Sequence, residues 1–250
     1  MLYILPRGGF GNIMFTYLIG SSLSKKYSIP LYFIENYQDK RTLMKNYSLF
    51  KNCKFVNRLP NNTIMIKEKE FRYSELLTLD QTKNYFLDGY FQSYKYSQNY
   101  LESIKQDLFP KIEKFDNTIM LHIRRGDYLN LQDFHPVQSQ DYYKKSLELL
   151  DNSKDSKVLV FSDDLNHVKT WDFFKDYNVE FIDKDVEECF HLMIRCNHFI
   201  ISNSTLSLLA YYFGKDENTK LCMPKNWFGP KGPAFNLDDL VNINENVFIF

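Results

Sequence analysis

Short apolar runs alternate with amphipathic stretches along most of the chain, and this alternation predicts an α/β protein. Residues 2–5 form an apolar run, a glycine-rich segment follows, and residues 13–26 carry apolar side chains at helical spacing. Residues 31–34 are the next strand-like run. A strand, a glycine loop and a helix in this order predict the first unit of a Rossmann-like half.

The pattern is less regular between residues 35 and 80 and becomes clearer again before the middle of the chain. A polar, aromatic turn is expected at the end of the strand in 85–93, and Pro110 should end the helix that precedes it. The elements predicted here are strands at 55–56, 64–66 and 85–93 and helices at 73–79 and 99–109.

From Thr118 onward, strand-like and helical segments alternate regularly. The predicted strands are 118–123, 157–161, 179–182, 198–201 and 220–223, and the predicted helices are 141–150, 164–174, 186–195 and 204–213. Strands separated by helices of this length imply a parallel sheet with crossover connections. We therefore predict two Rossmann-like halves, residues 1–115 and 116–250, that face a central cleft.

Two adjacent arginines end the apolar run 118–123 and provide the strongest functional signal. The carboxyl ends of strands in open α/β sheets are where ligands bind, and an arginine fork matches the oxygens of a phosphate. Arg124 and Arg125 therefore predict a clamp for a diphosphate, and Gly126 permits a sharp exit from the strand. The same residues also fit a solvated surface turn in which an arginine pairs with Asp127.

Other predicted strand ends carry polar residues that fit either a ligand site or ordinary helix capping. Asp163 and Asp164 could accept hydrogen bonds from a nucleotide base or ribose, or could begin a helix. Ser204 and Thr205 open an apolar helix whose N-terminus could hold a phosphate, and simple capping explains them equally. The aromatic loop 224–230 either lines the cleft or covers the core.

The glycine loop near the start of the chain is a weaker signal of the same kind. Gly9, Gly11 and Asn12 would let the backbone approach a ligand closely, but the complete dinucleotide fingerprint is absent. A tight turn that serves only the fold is the alternative interpretation.

Composition excludes several classes of partner. The formal net charge is zero, so the overall field does not recruit nucleic acid or an anionic membrane. No apolar run approaches the ~20 residues that span a bilayer, and the start of the chain is not typical of a secretory signal. The four cysteines lack metal-site spacing, which favours reduced, partly buried thiols in a cytoplasmic protein.

Asp183 and Asp185 follow a predicted strand and match the D-x-D pattern that holds a divalent ion in one class of glycosyltransferases. The acidic residues beside them also fit an ordinary helix start. His191 and His198 flank Cys196, yet core or surface roles explain them better than metal binding does.

Taken together, the segments resemble the α-1,2-fucosyltransferase family, glycosyltransferase family 11. The resemblance follows the order of the motifs through essentially the whole chain, although Ile13 stands where the family usually has Gln. The residues that carry it are 8–12, 89–93, 122–128, 134–135 with 141–143, 162–164, 202–205, and 224 with 227–228.

The resemblance implies a GT-B-like fold and an inverting galactoside α-1,2-fucosyltransferase. Its donor, GDP-β-L-fucose, would bind on the side of residues 116–250, and its acceptor, a galactose-containing glycan, on the side of residues 1–115. It would require neither a metal nor another cofactor. Since the chain lacks the membrane anchor of animal relatives, it resembles a form from a bacterial cell or a virus-infected host. Because GDP leaves with growing negative charge, groups already aimed at the β-phosphate must stabilise it. We assign this role to Arg125, assisted by Arg124 and by the helix start at Ser204 and Thr205.

The remaining candidate residues have less certain roles at this stage. His122 and Asp164 are expected near the guanosine, with Asp163 as the alternative carboxylate, and the glycine loop near the donor. The catalytic base is either Asp127 or His135, and Asp127 could instead orient Arg125. Two other functions remain open: a metal-dependent glycosyltransferase that uses Asp183 and Asp185, and an inactive glycan- or nucleotide-binding module.

Overall fold

The computed structural model describes residues 1–35, 44–151 and 154–250. The chain forms two compact units: unit 1 comprises Met1–Lys111 and Ala234–Val241, and unit 2 comprises Ile112–Pro233 and Asn242–Phe250. The predicted division at 115/116 therefore needs a correction, because residues 234–241 belong to the first unit. One buried carboxylate helps to explain this, since Asp239 accepts from Lys95 Nζ at 2.7 Å and from the Tyr73 amide at 3.2 Å.

Unit 1 is built on a five-stranded sheet in which all neighbours are parallel. Its strands are β1 (Leu2–Ile4), β2 (Leu31–Ile34), β3 (Phe55–Val56), β4 (Thr63–Lys67) and β5 (Asn84–Asp88), in the spatial order β3-β2-β1-β5-β4. Helices α1 (Phe10–Tyr27) and α2 (Leu101–Leu108) belong to the same unit. Most of α1 is buried, which explains why its apolar residues are not confined to one narrow face.

Unit 2 contains a six-stranded parallel sheet in the spatial order β11-β10-β9-β6-β7-β8. Its strands are β6 (Thr118–Ile123), β7 (Lys157–Ser162), β8 (Asn178–Ile182), β9 (His198–Ile200), β10 (Leu221–Met223) and β11 (Val247–Ile249). Its helices are α3 (Gln140–Leu150), α4 (Leu165–Val168), α5 (Val186–Met193) and α6 (Thr205–Gly214), while a short helix α7 (Leu237–Leu240) lies in the returning segment of unit 1.

The order of strands in unit 2 is that of a doubly wound nucleotide-binding sheet. Every residue of β6 is buried, as expected for a central strand covered on both faces. The predicted fold class, α/β with two Rossmann-like halves, is therefore confirmed.

Two predicted helices are wrong. Residues 73–79 form no helix, because the Tyr73 amide donates to Asp239 Oδ2 and the Ser74 amide donates to Tyr96 Oη. The predicted helix 164–174 stops at Val168 and continues as a 3-10 turn at Asp172–Asp176. There, the Thr170 hydroxyl and amide both donate to the His167 carbonyl, which interrupts the α-helical ladder.

Other differences from the predicted elements are smaller. Helix α1 begins at Phe10, so the predicted glycine loop is partly the first turn of a helix. Strand β11, which pairs with β10, was not predicted from its short apolar run. The four cysteines are free, and Cys196 and Cys222 are buried. None of the helices in the described ranges is long and apolar enough to traverse a lipid bilayer.

Candidate functional site

The strand order of unit 2 reverses between β6 and β9, which are direct neighbours in the sheet. Chain connections leave to opposite sides of a sheet at such a point, so a crevice opens at the carboxyl ends of the two strands. The residues after β6 begin with Arg124, and those after β9 run through Ser202 and Ser204 into α6. The structure thus brings two predicted segments to one edge of one sheet.

Arg125 is largely buried and is held at its Nε atom. Nε donates to Asp164 Oδ2 at 3.0 Å, and the backbone amide of Arg125 donates to Asp163 Oδ1 at 2.8 Å. Its two terminal Nη groups make no hydrogen bond to the part of the chain that the structure describes. A guanidinium fixed at Nε with both Nη groups available can donate hydrogen bonds to two oxygens of one phosphate.

Arg124 has a different environment, because two carboxylates already occupy its fork. Its Nη2 lies 2.6 Å from Asp127 Oδ1, and its Nη1 lies 3.0 Å from Asp163 Oδ2. The guanidinium also lies over the ring of Tyr128, 5.2 Å from its centroid. The alternative in which Asp127 orients Arg125 is wrong, since Asp127 pairs with the neighbouring arginine. Arg124 is therefore suited to holding the loop in shape.

Gly126 is required by the position of a carboxylate. A methyl group at its Cα would collide with the Asp163 side chain. Asp163 must lie there because one of its oxygens holds the Arg125 amide and the other holds Arg124. A glycine at this position therefore allows the aspartate that follows β7 to fix both arginines that follow β6.

His122 connects the two strands at the point of reversal. Its Nδ1 lies 2.9 Å from Ser202 Oγ, and the ring is buried. Burial, followed by the charge of Arg124, lowers the pKa of His122 to about 3. The imidazole is neutral at ordinary pH and is suited to fixing the loop after β9.

The loop between β9 and α6 is held from several directions. Asn203 Nδ2 donates to the Trp227 carbonyl at 3.1 Å, and Asn203 Oδ1 accepts from Gln138 Nε2 at 3.3 Å. Tyr128 Oη donates to the Asn203 carbonyl at 3.2 Å. Ser204 precedes the first helical residue, Thr205, and makes no side-chain cap. The positive end of a ten-residue helix is thus presented at this edge.

His135 lies in an aromatic cluster beside the arginine loop. Its ring stacks on Tyr128 with centroids 4.6 Å apart, and it contacts Phe134 and Phe228 at 4.7 and 5.7 Å. Its Nδ1 is buried without a hydrogen-bond partner in the described residues. Burial lowers the pKa of His135, with the charge of Asp127 opposing this shift and that of Arg124 adding to it.

The loop 224–230 covers the core and also contacts the residues around His135. Trp227 is buried and covers the core, whereas Phe228 reaches the cluster around His135. The backbone of this loop pairs with the segment before His135, as the Gly229 amide donates to the Phe134 carbonyl at 3.0 Å.

The glycine loop of unit 1 lies at the corresponding point of its own sheet, where β1 neighbours β5. Gly9 precedes α1, and Gly11 and Asn12 lie in its first turn. Asn12 Oδ1 accepts from Gln92 Nε2 at 2.7 Å, which connects the segment after β1 with the segment after β5. These predicted donor-site residues belong to unit 1, and the other predicted site residues belong to unit 2.

The residues considered for a metal site have other contacts. Asp185 caps α5 by accepting from the Glu188 amide at 2.9 Å, and His198 Nδ1 accepts from the Lys220 amide at 3.1 Å. Within the described ranges, no three His, Cys, Asp or Glu side chains are grouped so that they could hold a metal ion.

Sequence reasoning did not select three residues that shape the site: Tyr128, Gln138 and Asn203. Tyr128 contacts Arg124, His135 and the Asn203 backbone, and Asn203 is anchored by Gln138. Tyr128 directly follows the arginine motif, and Asn203 directly precedes Ser204, which was selected. Their positions were visible in the sequence, but their contacts depend on strands β6 and β9 being neighbours.

A doubly wound parallel sheet with paired arginines at its point of reversal is typical of proteins that bind phosphorylated nucleotides. The model of glycosyl transferase family 11 matches residues 21–231, and the chain belongs to this family. It is therefore a glycosyltransferase, and its two Rossmann-like units agree with the predicted GT-B-like class of fold.

Two Escherichia coli proteins are similar to the chain. The O-antigen biosynthesis glycosyltransferase WbnK is 28% identical over 232 residues, which are 87% of this chain and 74% of the relative. An alpha-1,2-colitosyltransferase is 24% identical over 261 aligned positions, with 88% of this chain and 90% of the relative covered. Among solved structures, POFUT1 in complex with GDP matches with a TM-score of 0.48 and 12% identity, covering 89% of this chain and 97% of that one.

Proposed function

We propose that the protein transfers L-fucose from GDP-β-L-fucose to the 2-hydroxyl of a terminal galactose, with inversion at the anomeric carbon. The observation that carries this proposal is the arrangement of Arg125. Its Nε is held by Asp164, its two Nη groups make no hydrogen bond within the described residues, and Arg125 follows β6, one of the two strands between which the sheet order reverses. Membership of glycosyltransferase family 11 supports a sugar-transfer reaction at this site.

In the proposed reaction, the acceptor oxygen forms a bond to the fucosyl anomeric carbon as the bond from that carbon to the β-phosphate oxygen breaks. The electron pair of the broken bond stays on GDP, so negative charge grows on the β-phosphate. Arg125 would stabilise this charge through its paired Nη donors, and the N-terminus of α6 at Ser204 and Thr205 would add backbone dipoles. In this mechanism the protein supplies all of the compensating charge, and no metal ion is required.

The proton of the acceptor hydroxyl requires a base, for which Asp127 and His135 are the candidates. The lowered pKa of His135 keeps its imidazole neutral and able to accept a proton. Because Nδ1 is buried, Nε2 would be the accepting atom. Asp127 is already paired with Arg124 at 2.6 Å, so a role as base would compete with that ion pair. These contacts favour His135.

The proposal is tested by incubating the protein with GDP-fucose and galactose-terminated oligosaccharides, with and without a chelator. The expected product carries fucose on the 2-position of galactose, and its rate of formation does not change when the chelator is added. Hydrolysis of GDP-fucose with no glycan product, a different linkage or loss of activity with the chelator would each contradict the proposal.

A second candidate donor follows from the similarity to the alpha-1,2-colitosyltransferase, which covers 90% of that relative. Colitose is the 3-deoxy counterpart of fucose, so a site that accepts one sugar differs from a site for the other in the contacts to a single hydroxyl group. A competition between GDP-fucose and GDP-colitose distinguishes the two donors. A preference for the colitosyl donor would replace the fucose assignment and leave the role of Arg125 intact.

A further inference from the structure

Three apolar side chains in one short segment of unit 2 are exposed, although their neighbours are well anchored. Leu129, Leu131 and Phe134 retain 42%, 48% and 40% of their accessible surface. Phe134 contacts Phe228 edge to face, with ring centroids 5.7 Å apart. We call Leu129, Leu131, Phe134 and Phe228 together the apolar shelf. Exposed apolar groups that cluster in one loop are typical of binding surfaces.

The shelf has a fixed backbone. The amides of Phe134 and His135 both donate to the Leu131 carbonyl, at 2.8 and 2.7 Å. Lys231 reinforces the turn, because its amide donates to the Asp133 carbonyl at 2.9 Å and its Nζ pairs with the Asp133 carboxylate at 2.6 Å. A surface that is already ordered loses little conformational entropy when it binds a ligand.

The shelf is continuous with the arginine site. Phe134 and Phe228 contact His135, His135 stacks on Tyr128, and Tyr128 lies against Arg124. A molecule on the shelf would therefore lie beside the candidate base and next to the loop that positions the proposed diphosphate donor.

From this geometry we infer that the apolar shelf binds the terminal galactose ring of the acceptor, an inference that rests on the proposed function. The axial 4-hydroxyl of β-galactose leaves C3–H, C4–H and C5–H together on one face of the ring, and this apolar face fits against an aromatic side chain. Glucose carries an equatorial 4-hydroxyl and lacks the same continuous face. The shelf would thus contribute to the choice of galactose over glucose.

The position of the shelf favours binding of the acceptor sugar rather than of the guanine base of the donor. The candidate base must contact the acceptor hydroxyl, and His135 is in direct contact with Phe134. Recognition of guanine requires several polar groups aimed at the edge of the base. The four side chains of the shelf are all apolar and can offer a surface but no such pattern of hydrogen bonds.

The test replaces Phe134 by alanine and measures the KM for lactose and for GDP-fucose separately. We expect the KM for lactose to rise about three- to tenfold, as for loss of one aromatic contact, with the KM for GDP-fucose unchanged. Phe134→Tyr keeps the ring and should restore the wild-type KM. Leu149→Ala is the matched control, because Leu149 is similarly exposed, at 39%, in the last turn of α3.

A binding measurement separates this inference from the proposed function. In saturation-transfer NMR with GDP and lactose, the wild-type protein should transfer signal mainly to H3, H4 and H5 of galactose, and Phe134→Ala should weaken it. Lactose binding that does not depend on Phe134, or a loss of GDP affinity in Phe134→Ala, overturns the shelf assignment. Phe134-dependent lactose binding without fucose transfer would instead contradict the proposed function and leave the shelf in place.

Discussion

The two Rossmann-like units share an architecture but differ at the carboxyl ends of their central strands. In unit 2, Arg124 and Arg125 are surrounded by three carboxylates that hold them in place. At the corresponding edge of unit 1, Arg7 pairs with Asp88 at 2.8 Å, Gln92 donates to Asn12, and Glu68 accepts from the amides of Tyr90 and Phe91. Unit 2 therefore presents two adjacent arginines fixed by carboxylates at this edge, whereas in unit 1 one carboxylate pairs with a single arginine and another holds backbone amides.

This difference shows how little the fold alone determines about chemistry. Both sheets are parallel, and both reverse direction beside their first strand. The distinguishing property is the number of carboxylates available to orient an arginine. In unit 2, β7 ends next to β6 and supplies Asp163 and Asp164, whereas the ion pair of unit 1 leaves Arg7 substantially exposed.

The largest expected effect comes from removing the guanidinium of Arg125. Arg125→Ala should lower kcat by roughly 10²–10³-fold, as for loss of one donor to a developing charge. Arg125→Lys should also be poor, because a point charge does not replace a fork. Arg7→Ala, at the matching strand end of unit 1, should cost less than about tenfold. Steady-state kinetics and thermal unfolding of the three variants provide the measurement, and equal losses for Arg125→Ala and Arg7→Ala would contradict the contrast between the units.

A smaller effect is expected from the residue that positions both arginines. Asp163→Asn preserves the shape of the side chain but loses the charge that pairs with Arg124 at 3.0 Å. Activity should fall about 10- to 100-fold through misplacement of the clamp. Stability should change by less than about 1 kcal/mol, because the pair is partly exposed.

Asp88→Asn in unit 1 is the matched variant, and it should lower activity less than Asp163→Asn does. Kinetics with varied GDP-fucose would show the Asp163 effect mainly in kcat. A large loss of stability without a kinetic change would assign Asp163 to the fold alone.

The smallest expected effect is a change in the free energy of unfolding in mild acid. The two units differ in this respect because all five histidines lie in unit 2. Folding lowers the pKa of His122 from 6.5 to about 3. As the pH falls below 6.5, the unfolded chain therefore binds a proton that the folded chain does not, and stability decreases. His122→Gln removes this dependence and can still hydrogen-bond Ser202.

Urea unfolding at about pH 7 and about pH 5.5 measures the effect of that variant. Wild type should lose about 1 kcal/mol more than His122→Gln between the two conditions. Identical losses would show that His122 is already accessible to protons in the folded protein.

Much of the fold could be predicted because each strand has a local apolar pattern. Strand β6 was placed correctly from its apolar run alone, as were β2 and β3. Predictions failed where a distant side chain decides the local structure. The segment that begins at Tyr73 has helical periodicity, but Asp239 takes its amide hydrogen bond, and no local pattern indicates that.

The candidate site was predictable to a similar degree. Two arginines at the end of a buried strand indicated an anion site, and the structure places them at the sheet reversal. The role of Asp163 was not apparent, because a capping residue and an arginine partner have the same sequence signature. Only the adjacency of β6 and β7 shows which of these roles the side chain performs.

The path of the chain between the two units has a practical consequence for protein engineering. After Pro233 the chain returns to unit 1 through 234–241 and then re-enters unit 2 to form β11. A single crossover near residue 111 would therefore build unit 1 from both parents, because residues 234–241 would be foreign to residues 1–111. Chimaeras that exchange whole units between relatives need three junctions, with 234–241 inherited from the same parent as 1–111.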